Sequence, residues 1–560
     1  MAVGRAWQFL NRVYYKPNAG EQTKDSLRID SYLRSYAKNF DYDILKNTYK
    51  FSWDTTARKV ILSNDIDIDR TIFNKIVPKI DDSWKLRKLK EEKLPSVLFP
   101  FQKESVKFLD AKKGNALIGH DMGLGKTIIS IAYLMLRQQR RPALIICPAS
   151  LKYNWQDEIL KWTNTDPNIK VITTANDLTL DLSKYEYVIV NYEMLSRQII
   201  KKTGMKGYAR YYQNDIIKEF AENNKFKQII IDECHRIKDA ASQTYRAVKF
   251  LKENCCNDLI AVSGTPILAK PDEFWTVLNL LDPVEFKSQY HFRNRYCAPN
   301  KDSYGITYNG AKHTKELHQR VQPYMIRYTK EQVLPELPKK LRRIIPVDLK
   351  KGEYNAIHEY IKIRCSESNS GVPGLGELHE IQNMLYHAKK KNIFEYIDNM
   401  VASGEKIVVF YTHTEAINEA EKKYKNICVK VDGTVKAINR KKAIDKFQND
   451  PKIKVFLGNL DAAGVGLTLT AASTVLFAET GFISPGEIEQ AEDRCCRIGT
   501  TASHVDVTFI VGKDTVEELF VKIIASKKAK VDAILKGKNI KDSNEYKEMF
   551  EKYIDLLLNM

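Results

Sequence analysis

The segment Gly119–Thr127, GHDMGLGKT, constrains this chain more than any other. It follows an apolar β-prone run, Ala116–Gly119, and precedes a helical run, Ile128–Leu136. A glycine-rich turn between strand and helix lets backbone N–H groups approach a phosphate closely, and the helix N-terminus adds its positive dipole end. Gly123 and Gly125 are the residues whose small size permits that approach. Lys126 is expected to reach the β- and γ-phosphates, and the Thr127 hydroxyl to bind Mg²⁺. The expected cofactors are therefore ATP and Mg²⁺. A strict GxxxxGK[ST] pattern places glycine at position 120, where this chain has His120, with Gly119 one residue early.

Around this loop the chain alternates short apolar strands with helical periodicity. The runs Ala143–Cys147, Tyr187–Val190, Gln228–Ile231 and Leu259–Val262 read as buried strands, and the rhythm resumes at Lys406–Tyr411, Ile427–Val431, Lys454–Leu457 and Thr474–Ala478. Continuous apolar strands between helices imply parallel sheets covered on both faces. The expected fold is α/β, with two parallel-sheet lobes, a helical insertion between them and a small α+β module in front. The divisions fall at 1–94 for an N-terminal accessory module, 95–266 for the first lobe and 267–402 for helical protrusions and a linker. The second lobe spans 403–530, and a Lys-rich helical tail spans 531–560. Within the first module, Lys50–Leu62 reads as a hairpin turning at Asp54–Thr56.

Three further motifs give the loop a chemical context. IIIDECH, Ile229–His235, delivers two carboxylates at the end of an apolar strand, where α/β sheets bind ligands. Asp232 is expected to hold the Mg²⁺ shell and Glu233 to orient and deprotonate an attacking water. AVSGTPI, Ala261–Ile267, supplies small hydroxyls after a strand. In QAEDRCCRIGT, Gln490–Thr500, Arg494 and Arg497 lie three apart, which would put both on one helical face as charge donors to a γ-phosphate.

Together these residues resemble the Snf2 family of helicase superfamily 2, with its two RecA-like lobes, from about Leu98 to about Lys530. Matching segments include ICPASLKYNW at 146–155, IVNYEML at 189–195, the linker text MIRYTKEQVLPELPKK at 325–340, KIVVFYTH at 406–413, and AAGVGLTLTAA at 462–472. LFPFQKESVKF, FRNRYCAPN and AETGFISPGEIEQ resemble the annealing-helicase branch, whose members remodel forks. The hairpin text FSWDTTARKVI is faintly similar to that branch's small DNA-structure-binding module.

The resemblance implies that Gln102 reads adenine, that His235, Gly464 and Gln490 join the nucleotide site, and that Arg494 and Arg497 act catalytically. It further implies that Lys152, Asn191, His413 and Thr468 hold DNA phosphates. His120, Tyr328, Cys496 and Thr500 depart from the family's usual residues. None of the four removes a group needed for hydrolysis.

Charge agrees with a polyanionic partner: 89 Lys and Arg against 70 Asp and Glu give a formal net charge of +19. The nine cysteines form no CxxC pair, which points to free thiols in a reducing compartment. No apolar run is long enough for a membrane span and no signal-peptide pattern opens the chain, so a cytoplasmic or nuclear location is expected.

The resulting expectation is a monomeric DNA-dependent ATPase that moves along double-stranded or branched DNA, alongside replication or repair proteins. It would anneal strands, regress forks or displace bound protein. Two alternatives remain open at this point: a strand-separating helicase of phage or viral origin, and a slow-hydrolysing nucleic-acid clamp acting through partners.

Overall fold

A strand buried on both faces has no polar side to show, and five such runs assemble the first lobe. Every residue of Ala143–Cys147, Tyr187–Asn191, Gln228–Asp232 and Leu259–Val262 is buried, as is Ala116–Ile118. The computed structural model describes residues 3–9, 12–16, 51–54, 59–62, 82–89, 93–163, 165–203, 209–298, 300–302, 305–308, 310–367, 375–435, 437–460, 467–481, 483–497, 500 and 502–538.

In the N-terminal module the strands are β1 (Val3–Phe9), β2 (Arg12–Lys16), β3 (Phe51–Asp54) and β4 (Lys59–Leu62). They form one sheet in the order β2-β1-β3-β4. The pair β3–β4 is an antiparallel hairpin with Asp54 opposite Lys59. Among the described residues of this module, Ser83–Leu86 forms a short 3-10 helix with Trp84 buried.

The first lobe contains β5 (Ala116–Ile118), β6 (Ala143–Cys147), β7 (Ile169–Val171), β8 (Tyr187–Asn191), the hairpin β9 (Ile199–Thr203) and β10 (Ala209–Gln213), then β11 (Gln228–Asp232) and β12 (Leu259–Val262). A short hairpin, β13 (Asn300–Asp302) and β14 (Gly305–Thr307), precedes β15 (Met325–Ile326). The main sheet has seven strands in the order β15-β5-β12-β11-β6-β8-β7. All of its pairings are parallel. Its two faces feed two separate cores: Leu144 and Ile146 of β6 enter one, and Ala143, Ile145 and Cys147 enter the other.

The second lobe contains β16 (Lys339–Val347), β17 (Ile407–Tyr411), β18 (Cys428–Val431), β19 (Val455–Asn459), β20 (Thr474–Phe477) and β21 (His504–Gly512). These form a six-stranded parallel sheet in the order β16-β21-β20-β17-β19-β18. Val408 and Phe410 of β17 face one core, while Ile407, Val409 and Tyr411 face the other.

Two features differ from the expected divisions. The stretch 267–402, expected to be helical, contributes an edge strand to each lobe. β15 pairs with β5 beside the phosphate loop, and β16 runs along β21 for its whole length. Both are short or mostly exposed edge strands, so neither shows the uniform apolar run that marks a central one. The linker between Ile326 and Lys339 therefore joins the edges of the two sheets.

The second difference is the boundary at 530. One continuous helix, Val516–Lys536, crosses it and ends on Gly537 in the left-handed conformation. Its first half, with Val516, Leu519, Phe520 and Ile523, packs with the helices Lys351–Glu367 and Leu375–Ala402. Its last turns put Val531, Ile534 and Leu535 into the core of the first lobe. There the His318 ring bonds to the Ile534 carbonyl at 2.9 Å, and Thr314 Oγ1 donates to the Lys538 carbonyl at 2.6 Å. Among the described residues, no helix is long and apolar enough to cross a membrane.

This helix is a second tie between the lobes, anchored by fully packed side chains. Ile534→Ala should lower the unfolding free energy by about 2–5 kcal/mol, read by denaturant titration. An unchanged midpoint would show that the last turn does not dock on the first lobe.

Candidate active site

The loop after β5 is shaped by two glycines in the left-handed region, Gly123 at φ 82° and Gly125 at φ 73°. At Gly125 a side chain has no room, because a Cβ would fall 2.4 Å from Gln102 Nε2. Gln102 lies buried on the helix Pro100–Ala111. Its Oε1 accepts from the Phe99 backbone N–H at 3.0 Å, and its Nε2 donates to the Leu124 carbonyl at 3.2 Å. The amide expected to read adenine thus also caps its own helix and braces the phosphate loop.

Lys126 opens the helix Lys126–Leu136, and its ammonium donates to the carbonyls of His120 at 3.0 Å and Asp121 at 3.1 Å. Burial brings its pKa down to about 8, against the pull of Glu233 and Asp232. Thr127, partly exposed, follows on the same first turn.

His120 is fully buried rather than aimed at a ligand. Its Nε2 pairs with Ser105 Oγ at 2.7 Å, and its Nδ1 accepts from the Tyr328 N–H at 3.0 Å. The rings of Phe101 and Tyr328 flank it. Burial pushes its pKa well below the ordinary histidine value. The two departures His120 and Tyr328 are therefore one packed unit linking the phosphate loop to the linker.

Asp232 ends β11, with Glu233 next to it in the left-handed region at φ 51°. A non-glycine residue there is strained. Asp232 Oδ2 accepts from Trp155 Nε1 at 2.8 Å, and Oδ1 accepts from the Glu233 N–H at 2.9 Å. Tyr192 OH donates to the Asp232 carbonyl at 2.7 Å. Burial, and then the neighbouring Glu233 charge, push the Asp232 carboxyl up to about 7. Glu233 Oε2 lies 3.5 Å from both Ser263 Oγ and His235 Nδ1, and those two groups are 3.1 Å apart.

The donor set suits Mg²⁺, which takes one or two protein oxygens and leaves the other positions to phosphate and water. Among the described residues no cluster of three or more His, Cys, Asp or Glu could hold a metal by itself.

The second lobe closes onto this surface. Gln490 Nε2 donates to Thr265 Oγ1 at 2.9 Å. A Cβ on Gly486 would fall 2.7 Å from Leu268 and 3.3 Å from Thr265. Arg497 lies against the phosphate loop, with its Cγ 3.5 Å from the position of a Cβ on Gly123. Its Nη1 donates to Thr468 Oγ1 at 3.0 Å and its Nε to the Asp493 carbonyl at 3.0 Å.

Arg494 and Arg497 do not share a helical face. The helix Pro485–Glu492 ends before them. The turn that follows is held by the Leu469 N–H, which donates to the Arg494 carbonyl at 2.9 Å. Arg494 is fully buried, and burial followed by the Arg497 charge lowers its pKa to about 9.

The helix end is held by charges that sequence reasoning left out. Lys330 Nζ reaches Asp493 Oδ1 at 2.9 Å and the Cys496 carbonyl at 2.6 Å, while its backbone N–H donates to Asp121 Oδ2 at 3.0 Å. Arg327 Nη2 takes Asp121 Oδ1 at 2.7 Å, and its Nη1 donates to the Gly119 carbonyl at 2.5 Å. Lys340 joins Asp493 at 2.7 Å and Glu492 at 3.0 Å, and Arg342 clamps Glu492 with two bonds of 2.7 and 2.6 Å. Arg327 and Lys330, which stand in the linker text that resembles the family's, were the one signal for this cluster. Nothing in the sequence around Glu492 and Asp493, or around Trp155 and Tyr192, sets them apart from helix-surface acids and core aromatics.

The residues expected to hold DNA already have protein partners. Lys152 Nζ donates to the Ile172 carbonyl at 2.7 Å, and Asn191 Nδ2 to Glu193 at 2.8 Å. His413 pairs with Glu479, a hydrogen bond that raises its pKa. Lys152, Asn191 and His413 sit just after or at the ends of β6, β8 and β17, whereas Thr468 is drawn to Arg497. Gly464 lies outside the described residues.

A sequence model described as the SNF2-related domain matches residues 101–421, more than half of the chain. The chain belongs to the SNF2 family. A second model, the helicase conserved C-terminal domain, matches residues 388–499 of this SNF2-family chain. It is 31% identical over 469 residues to the human DNA annealing helicase and endonuclease ZRANB3, covering 80% of this chain and 41% of that protein. It is 29% identical over 497 residues to SWI/SNF-related matrix-associated actin-dependent regulator of chromatin subfamily A-like protein 1 of Xenopus tropicalis, covering 86% of this chain and 49% of that one. The chain thus spans less than half the length of these relatives. The solved Sulfolobus solfataricus SWI2/SNF2 ATPase core in complex with dsDNA aligns at 24% identity with a TM-score of 0.38, over 80% of this chain and 96% of its own.

Although burial pushes the Asp493 carboxyl up, Lys340 and Lys330 outweigh it and bring the pKa down to about 2. A depressed carboxyl contributes stability that is present above the ordinary 3.8 and is lost as pH falls through 2. At neutral pH the cluster is fully ionised on its acidic side, so removing one partner leaves a buried charge behind. Lys330→Ala should lower kcat for ATP hydrolysis by roughly tenfold or more with KM within a few-fold, because Lys330 positions Arg497 and touches no nucleotide. Lys330→Ala/Asp493→Asn should be less than additive in steady-state kinetics. Additive losses would show that the two residues act separately.

Proposed function

We propose that this chain is a DNA-dependent ATP hydrolase that uses closure of its two lobes to move along double-stranded DNA, remodelling forks or branched DNA. One observation carries the reading: Arg497 of the second lobe lies against Gly123 of the phosphate loop, across from Lys126, Asp232 and Glu233 of the first.

In that cleft Lys126 would bind the β- and γ-phosphates, releasing its bonds to the His120 and Asp121 carbonyls. Thr127 and Asp232 would hold Mg²⁺, which supplies charge neutralisation on the phosphates. Glu233 would accept a proton from the attacking water, with His235 and Ser263 holding its carboxylate. Arg497 would place its guanidinium on charge that develops in the transition state, and Arg494, buried behind it, would keep it extended. Gln102 would read the adenine edge with its remaining donor and acceptor, and Gln490 would couple the Ser263–Thr265 turn to the second lobe.

Support for DNA as the partner comes from the +19 net charge and from the names of relatives matched across most of this chain. The matched residues lie in the motor, so the annealing-helicase motor is what we carry over. DNA bound to Lys152 and Asn191 on one lobe and His413 on the other would favour the closed state. The reading also places the protein with replication or repair partners.

Lys126→Ala should abolish hydrolysis while leaving a folded, DNA-binding protein, since it removes a charge and no core contact. Glu233→Gln should retain ATP and slow turnover by orders of magnitude. Arg497→Ala should lose most of the DNA-stimulated rate with little change in ATP affinity. Steady-state phosphate release with and without duplex DNA checks all three. Wild-type stimulation in Arg497→Ala would overturn the closure mechanism.

A further inference from the structure

The hairpin β9–β10 has no part in the site described above. It leaves the first lobe directly after the helix Tyr192–Ser196, which itself follows Asn191 at the end of β8. Between Glu193 and Asp215 the chain has no acidic residue, but it has Arg197, Lys201, Lys202, Lys206 and Arg210, interleaved with Tyr208, Tyr211 and Tyr212.

The antiparallel register sorts the side chains onto two faces. Ile199 is buried in the first-lobe core, and Tyr211 on the same side lies beneath Arg246, whose guanidinium is 3.8 Å from the ring centre. The hairpin is thereby fixed to the helix Gln243–Asn254. The other side carries Ile200, Lys202, Arg210 and Tyr212, all exposed.

Arg210 stands directly opposite Lys202, and Tyr212 directly opposite Ile200. Like charges facing each other across a ladder destabilise it, whereas the aliphatic–aromatic pair beside them is favourable, so the unfavourable contact is the one between Lys202 and Arg210. Among the described residues neither Lys202 nor Arg210 has an ion-pair partner, and Lys202 lies 5.6 Å from the Tyr212 ring. A face that sets two unpaired cations opposite each other beside an exposed ring fits a nucleic acid. The cations match phosphates and the ring matches the face of an unpaired base.

We propose that the outward face of this hairpin is a second nucleic-acid-binding site, which takes an unpaired nucleotide where a duplex opens beside the first lobe. Lys202 and Arg210 neutralise its flanking phosphates, and Tyr212 stacks on its base with Ile200 at the edge. The proposal rests on the reading of the chain as a DNA-dependent motor, and it adds a reason for such a motor to prefer branched over plain duplex DNA.

The test uses the full chain and fluorescence anisotropy over a range of salt. The probes are a blunt duplex, the same duplex with a single-stranded fork, and the single strand alone. Lys202→Ala/Arg210→Ala should weaken fork binding and lower the slope of log affinity against log salt by about two. Its melting temperature should not fall, because a repulsive pair is removed. Tyr212→Ala should weaken fork and single-strand binding by roughly tenfold, leave the salt slope and blunt-duplex affinity unchanged, and be rescued by Tyr212→Phe.

DNA-free ATPase activity should be unchanged in every variant. Equal loss on all three probes with Tyr212→Ala would overturn the unpaired-base assignment. Wild-type affinity and slope in the double variant would overturn the site while leaving a DNA-stimulated motor intact. Absence of DNA binding and stimulation in the wild type would instead overturn the motor reading itself.

Discussion

The arrangement depends on one buried charge cluster. Lys330 holds Asp121 of the phosphate loop through its backbone and Asp493 of the second lobe through its ammonium. Lys340, Arg342, Arg327 and Glu492 complete the cluster, so the linker touches both catalytic halves at once. A buried pair gains little net stability over well-packed apolar residues, but removing one member is costly. The cluster is therefore better understood as fixing register: it sets where Arg497 stands relative to Gly123. The linker edge strands β15 and β16 make this possible by pinning the same segment to both sheets.

Two further ties keep the lobes in a restricted set of positions. Gln490 reaches Thr265, whose turn is continuous with the Ser263 that faces Glu233. The helix Val516–Lys536 starts in the second lobe and ends in the core of the first. The proposed function needs relative movement of the lobes, yet also a defined closed state in which Glu233 and Arg497 would meet the same phosphate. The polar linker cluster is suited to the closed end of that cycle, since its ion pairs depend on geometry. The apolar helix anchor tolerates small rotations.

Both sheets and the catalytic loops were legible in the sequence because each central strand is an unbroken apolar run and each loop carries chemistry in a compact motif. Lys126, Asp232, Glu233 and Arg497 fall around one cleft. The edge strands β15 and β16 were not legible, since β15 has only two residues and β16 is mostly exposed and lacks that run. The helical face shared by Arg494 and Arg497 was inferred from spacing alone. Spacing carries no information about where a helix stops, and here its last residue, Glu492, is held by Lys340 and Arg342 of β16, 152 and 150 residues away in sequence. Gln102 and His120 show the same limit: their type suggested ligand contact or departure from a pattern, while their packing gives them bracing roles.

The central claim is that ATP hydrolysis awaits closure of the second lobe on the first, and that duplex DNA favours closure. Phosphate release by the wild-type chain at saturating ATP, with and without duplex DNA, tests it most directly. The account predicts slow turnover alone and a large stimulation by duplex that fades steeply with added salt. Turnover that is equally fast without DNA, or a stimulation indifferent to salt, would contradict it.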